Sequence, residues 1–185
     1  WLDQVKPTIK WEYWDAYVNE LKTNGFNTDV IRVLDEDTNN ILNECGNPSR
    51  EGPWRIKGLV MGDVQSGKTA NYCGLVNKAA DAGYRVIILL TGVIEELRSQ
   101  TQARLDSGFV GKDSREILQG INGGSDIGSG RFRSKTPNVL TSVDSDFLTS
   151  NKNVVLPLLL KISLFLVEGV PINGISAKTL LLVIA

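Results

Sequence analysis

Histidine is missing from all 185 residues, and with it go the commonest general base and the commonest zinc ligand. Cysteine is nearly missing as well. Cys45 and Cys73 are too few for a disulfide framework or a cysteine-rich metal site, and they read as buried thiols of a reducing, cytoplasmic compartment. Charge of one sign is not in excess. A formal net charge of −1 gives no bulk pull toward nucleic acid or acidic membranes, so any polyanion site has to be local. No apolar run reaches the ~20 residues of a spanning helix. The greasiest stretch, Val154 to Val170, is broken by Pro157, Lys161 and Glu168 and reads as core, so no membrane association is expected. Methionine occurs only at Met61, the chain opens on Trp1, and no secretory signal follows. The expectation is a fragment lacking its natural start.

What is present is ordinary for a globular protein: 42% hydrophobic and 22% charged residues, in a length that suits one domain with or without a small extension. Trp11, Trp14, Val18 and Leu21 recur at helical spacing before Gly25. Val30, Ile31, Leu34, Ile41, Leu42 and Cys45 form a second stripe, with Asn27 or Thr28 as its cap and Gly46 and Pro48 as its stop. These predict a helical N-terminal extension over residues 1–50, followed by a second unit over residues 51–185.

In the second unit, Ile56 to Met61 reads as a buried strand, Gly62 to Thr69 as a turn, and Ala70 to Asp81 as a helix closed by Gly83. Arg85 to Leu90 reads as a β-branched strand and Ile94 to Leu105 as an amphipathic helix. Strand, turn, helix and strand make a βαβ unit, which predicts an α/β fold with a parallel sheet. Gly120 to Gly130 reads as a mobile loop, and Val139 to Val143 and Leu180 to Ile184 as further strands.

The turn Gly62-Asp63-Val64-Gln65-Ser66-Gly67-Lys68-Thr69, running into Ala70, has the form of a phosphate-binding P-loop. A triphosphate needs dense positive potential without a bulky wall. Gly62 and Gly67 let the backbone curl, the loop N–H groups point inward, and the following helix adds its positive end. Lys68 can reach the β- and γ-phosphates, and the Thr69 hydroxyl can ligate Mg2+. Asp63 can restrain the loop through an Asx hydrogen bond. Gln65 is placed against a phosphate, against a neighbouring element or toward solvent. The predicted ligands are ATP and Mg2+.

The run from Gly58 to Tyr72, containing Val64-Gln65-Ser66-Gly67-Lys68-Thr69, resembles the Z-one domain, described as an endonuclease domain of bacterial proteins. Ala79-Ala80-Asp81-Ala82-Gly83-Tyr84 and Leu97-Arg98-Ser99-Gln100-Thr101-Gln102 with Arg104-Leu105 continue the likeness, and Thr141-Ser142 with Asp146-Phe147 is a weaker piece. The resemblance implies a RecA-like domain of a superfamily-two helicase-type ATPase. Its setting would be bacterial DNA restriction or phage defence, with DNA as a partner of the parent protein and a GHKL-type ATPase as a protein partner. In that family an acidic segment follows the strand matching Leu180 to Ile184, whereas here only Ala185 follows. No catalytic residue is therefore assigned within this chain, and no turnover is expected from it. Two other functions remain open: a nucleotide-switched interaction module and a P-loop kinase or transferase.

Arg98, Gln100, Gln102 and Arg104 lie on the helix that in helicase-type domains faces a nucleic-acid backbone. They either grip phosphates or form a solvated face. Arg131-Phe132-Arg133 with Lys135 is either a single-strand grip or a basic loop. Asp15, Glu20 and Lys22 offer a Glu-x-Lys element of the nuclease kind, but in a helical rather than a stranded setting. That match is taken as chance.

Overall fold

The computed structural model describes residues 1–50, 56, 58–61, 67–90, 94–121, 124–145 and 180–184. Their order is α1 (Leu2–Val5), α2 (Glu12–Thr23), α3 (Thr28–Glu44), α4 (Lys68–Asp81), β1 (Val86–Leu90), α5 (Glu95–Leu105), α6 (Ser114–Leu118) and β2 (Leu180–Ile184). A π-helical turn, Asp106–Val110, continues α5, and a 3₁₀ helix covers Gly128–Phe132.

The helices start and stop where local chemistry tells them to. The Asn27 side chain accepts a hydrogen bond from the Asp29 N–H at 2.8 Å and caps α3, satisfying one donor of its open first turn. Ile31, Leu34, Thr38 and Leu42 make the buried stripe of α3, while Val30 faces outward. Thr38 sits in that stripe because its hydroxyl donates to the Leu34 carbonyl at 2.6 Å and so buries no open donor.

Helix α4 packs against α2 and α3. Leu75, Ala79 and Tyr84 join Leu2 and Leu42 in one cluster, and Cys73 joins Trp14, Tyr17, Leu21, Ile31 and Leu34 in another. The Tyr84 hydroxyl donates to the Gly46 carbonyl. Lys78 is buried between α3 and α4. Its Nζ donates to the Asp35 carbonyl, Asp35 Oδ1 and Asn39 Oδ1, each at 2.7 Å, and lies 4.2 Å from the centre of a Trp14 ring. Burial pulls its pKa down to about 8, against the opposing pull of the Asp35 carboxylate.

Helices α2 and α4 run antiparallel. The Asp81 carboxylate at the end of α4 accepts the N–H groups of Tyr13 at 3.0 Å and Trp14 at 2.9 Å, capping the start of α2 from another element. At the other end, the Tyr17 hydroxyl donates to the Ala70 carbonyl at 3.3 Å. This alignment sets the second half of α2 beside the first turn of α4.

The structure corrects the expected α/β, RecA-like fold: the described residues are mostly helical. Strand is confined among them to β1 and β2, which pair in parallel from Val86 opposite Leu180 to Leu90 opposite Ile184. One five-residue pair is not a RecA-like sheet. Ile56 and Leu59 to Met61 lie exposed and outside any strand, so the expected first strand of the βαβ unit is not formed there. Val139 to Val143 is irregular as well, and its last two carbonyls, of Ser142 and Val143, accept from Arg98. Helix α5 forms, but without the expected apolar face: Gln102 is its buried residue and Leu97 is exposed. The stretch expected to be core, 154–170, lies outside the described residues.

The expected mobile loop also differs. Its described end packs, as part of the 3₁₀ helix, against α2 and the π-turn. Gly111 and Gly130 touch backbone to backbone, with no room for a Cβ on either. Arg133 closes the joint, donating to the carbonyls of Phe109 and Val110 and lying 4.4 Å over the Tyr13 ring. Among the described residues no helix is long and apolar enough to cross a membrane.

Candidate functional site

Gly67, immediately before α4, has φ 79° and ψ 20°, a left-handed conformation that side-chain-bearing residues rarely adopt. It turns the chain into a helix whose first turn holds no acidic residue, so nothing within the helix neutralises its positive end. Lys68 is exposed and makes no hydrogen bond or ion pair among the described residues, while Thr69 and Ala70 are half-buried.

Gly67, Lys68, Thr69 and Ala70 all line one cleft of about 490 Å3. Tyr17, Glu20, Leu21, Asn24 and Phe26 form its opposite wall, and Arg104, Ser107 and Gly108 close its side. Lys68 and Arg104 supply positive charge, and Glu20 supplies one carboxylate.

Glu20 is 8% exposed. Its Oε1 accepts from Asn24 Nδ2 at 2.9 Å, with the Ser107 hydroxyl at 3.5 Å. Its Oε2 is shut off from solvent and has no hydrogen-bond partner among the described residues. A buried carboxylate oxygen with nothing to accept is costly and calls for an explanation. Cys73, which lines the cleft from α4, is not reactive: burial raises its pKa to about 12, so the thiol stays protonated at neutral pH. Burial also raises the Tyr17 phenol well above its ordinary value.

Of the predicted P-loop, Gly62, Asp63, Val64, Gln65 and Ser66 lie outside the described residues. Gly67, Lys68, Thr69 and Ala70 are brought together as described. The four residues predicted to meet nucleic acid are split between two environments. Arg98 turns inward, pairing with Glu95 at 2.5 Å and donating to the carbonyls of Ser142 at 2.8 Å and Val143 at 2.7 Å. Gln102 is buried, donating to Asp106 at 2.9 Å and accepting from the Thr141 hydroxyl at 2.7 Å. Gln100 and Arg104 are exposed, and Arg104 opens onto the cleft. In the basic segment, Arg133 is used in packing, Lys135 pairs with Glu12 at 2.8 Å, and Arg131 and Phe132 remain exposed.

No family model, curated protein or solved structure matches this chain. The case for a function rests on the cleft's own chemistry. Mg2+ wants six oxygens, usually one or two carboxylates completed by phosphates and water. No group of three or more acidic, cysteine or histidine side chains suited to a metal occurs among the described residues. A cation here would therefore rely on a ligand's phosphates. The Thr69 hydroxyl and the Glu20 carboxylate are oxygen donors of the right kind, and the orphaned Oε2 fits the need. The sequence alone does not single out Glu20, because Glu-x-Lys there matches only a nuclease element. The usable signal was its register, four residues after Ala16 and three after Tyr17, which sets a carboxylate on the buried face of α2.

Proposed function

We propose that this chain binds the phosphates of a nucleoside triphosphate, ATP together with Mg2+, at the N-terminus of α4. The observation that carries the reading is the left-handed Gly67 leading into a helix whose own first turn holds no acidic residue, with Lys68 exposed beside it and unpaired among the described residues, on a cleft of about 490 Å3. The open N–H groups of the first turn and the helix dipole favour an anion there. Lys68 adds a compact point charge, and Arg104 adds a second cation at the side of the same cleft. When bound, Mg2+ would offset charge between the phosphates, with the Thr69 hydroxyl as a ligand from this chain. The proposal extends to a role in a DNA-dependent ATPase of a bacterial restriction or defence system, supported by the Gly58–Gly111 motifs and tested by stimulation of ATPase activity with DNA.

Calorimetry with Mg-ATP on the 185-residue chain tests the binding. Lys68→Ala removes an exposed side chain and should leave thermal unfolding unchanged while abolishing the binding heat. Equal affinity in the variant and the parent sequence defeats the reading.

A further inference from the structure

We infer that Glu20, from the N-terminal helix α2, is the carboxylate that would hold the Mg2+ of the bound nucleotide together with the Thr69 hydroxyl. The inference rests on the triphosphate reading above and assigns the acid for which the sequence offered no position.

Three observations converge on it. The antiparallel packing of α2 on α4, fixed by the Asp81 clamp at one end and Tyr17 at the other, sets Glu20 beside the first turn of α4. Glu20 and Thr69 line the same cleft. Glu20 is more than nine-tenths buried, and its Oε2 has no hydrogen-bond partner among the described residues although Lys68 and Arg104 line that cleft too. Neither cation forms an ion pair with it among the described residues, so the carboxylate is not there to neutralise them. The terminal torsion of glutamate is soft, so a small rotation can turn a carboxylate oxygen into the cleft.

The charge argument selects the ligand. A carboxylate beside a triphosphate is repelled unless a cation lies between them, so a purely structural acid here would weaken phosphate binding. With Mg2+ present the same carboxylate becomes attractive. Mg2+ bound by one or two carboxylates plus substrate phosphates is its common mode in nucleotide sites. Asn24 donates to Oε1 and leaves Oε2 unengaged, so that once the carboxylate turns toward the cleft Oε2 can serve the ion directly or through a water.

The test compares the 185-residue chain with Glu20→Gln, Glu20→Asp and Lys68→Ala, titrating ATP in EDTA and again with Mg2+. In the parent sequence Mg2+ should tighten ATP binding about tenfold or more, and Glu20→Gln should lose that gain while binding ATP in EDTA as well as before or better. Glu20→Asp, which keeps a carboxylate, should recover part of the gain. Mn2+ in place of Mg2+ gives a spectroscopic readout, a paramagnetic signal that Glu20→Gln should weaken. An undiminished Mg2+ gain in Glu20→Gln overturns the inference, and so does an equal loss in both conditions, which would mark a packing role. ATP binding that is abolished by Lys68→Ala yet indifferent to Mg2+ overturns the inference and leaves the phosphate site standing. No ATP binding in either condition removes both.

Discussion

Lys78 gives the sharpest prediction on stability. Its amine is 1% exposed, held by three oxygens at 2.7 Å and capped by Trp14, and its pKa falls from 10.5 to about 8. Burial is the main cause. The Asp35 carboxylate opposes it, and the Lys6 ammonium, 4.0 Å from Asp35, assists it. Between pH 8 and 10.5 the unfolded chain therefore binds more protons at this group than the folded chain does. Stability must rise with pH through that window on its account. At about 1.36 kcal/mol per pH unit, the full displacement is worth ~3 kcal/mol.

The perturbation is Lys78→Met, which keeps the side-chain volume and removes the titration. The buried thiols also titrate in this range. Burial raises both Cys45 and Cys73, so they withdraw stability as pH climbs past their ordinary values. They act alike in both proteins and cancel in the difference. Urea unfolding followed by tryptophan fluorescence at pH 7, 8, 9 and 10 should show the stability difference moving steadily in favour of the parent sequence above pH 8. Parallel curves would refute the reasoning. A shift the other way would mean that attraction to Asp35 outweighs burial.

Gly130→Ala would drive a Cβ into the backbone of Gly111 and should cost about 1–3 kcal/mol in urea unfolding, far more than a surface Gly→Ala change. Arg98→Ala strips donors from the carbonyls of Ser142 and Val143 and should cost about 1–2 kcal/mol. It should leave the salt slope of any DNA binding untouched, whereas Arg104→Ala should flatten that slope if the exposed side of α5 meets DNA. A flattened slope with unchanged stability in Arg98→Ala would show that the inward placement is wrong. Asn27→Ala should destabilise the chain by about 1 kcal/mol through the lost cap of α3, measured by thermal unfolding.

Much of the helical framework was legible because its signals are local. The stripe of α3, the Asn27 cap and the stops of α2 and α4 at Gly25 and Gly83 all depend on residues within a turn of one another. The two strands of the described pair, β1 and β2, are apolar runs, the first rich in β-branched residues, and they form where the pattern put them. The sheet was overread for the opposite reason. Pairing is non-local, and neither Leu59 to Met61 nor Val139 to Val143 carries in its own residues the information about a partner. Composition misled at Gly128–Phe132. Glycine and serine read as a loop, but here they permit a close backbone approach that Arg133 and Tyr13 then lock. At the cleft, the glycine-lysine-threonine start of α4 was plain to see. The opposite wall came from residues about fifty positions earlier, which only the α2–α4 packing could reveal.

The Asp81 clamp also has a consequence for how α2 can change. Two backbone N–H groups gripped by one carboxylate fix the rotation of that helix about its own axis at its first turn. Each residue inserted or deleted between Trp14 and Glu20 would turn everything beyond it by about 100°. A single insertion would swing Glu20 away from α4 and bring a different side chain to the cleft, with the clamp itself still intact. The spacing from clamp to carboxylate thus behaves as a fixed gauge: α2 can absorb substitutions on its outer face and length changes beyond Asn24, but not one residue more or less in between.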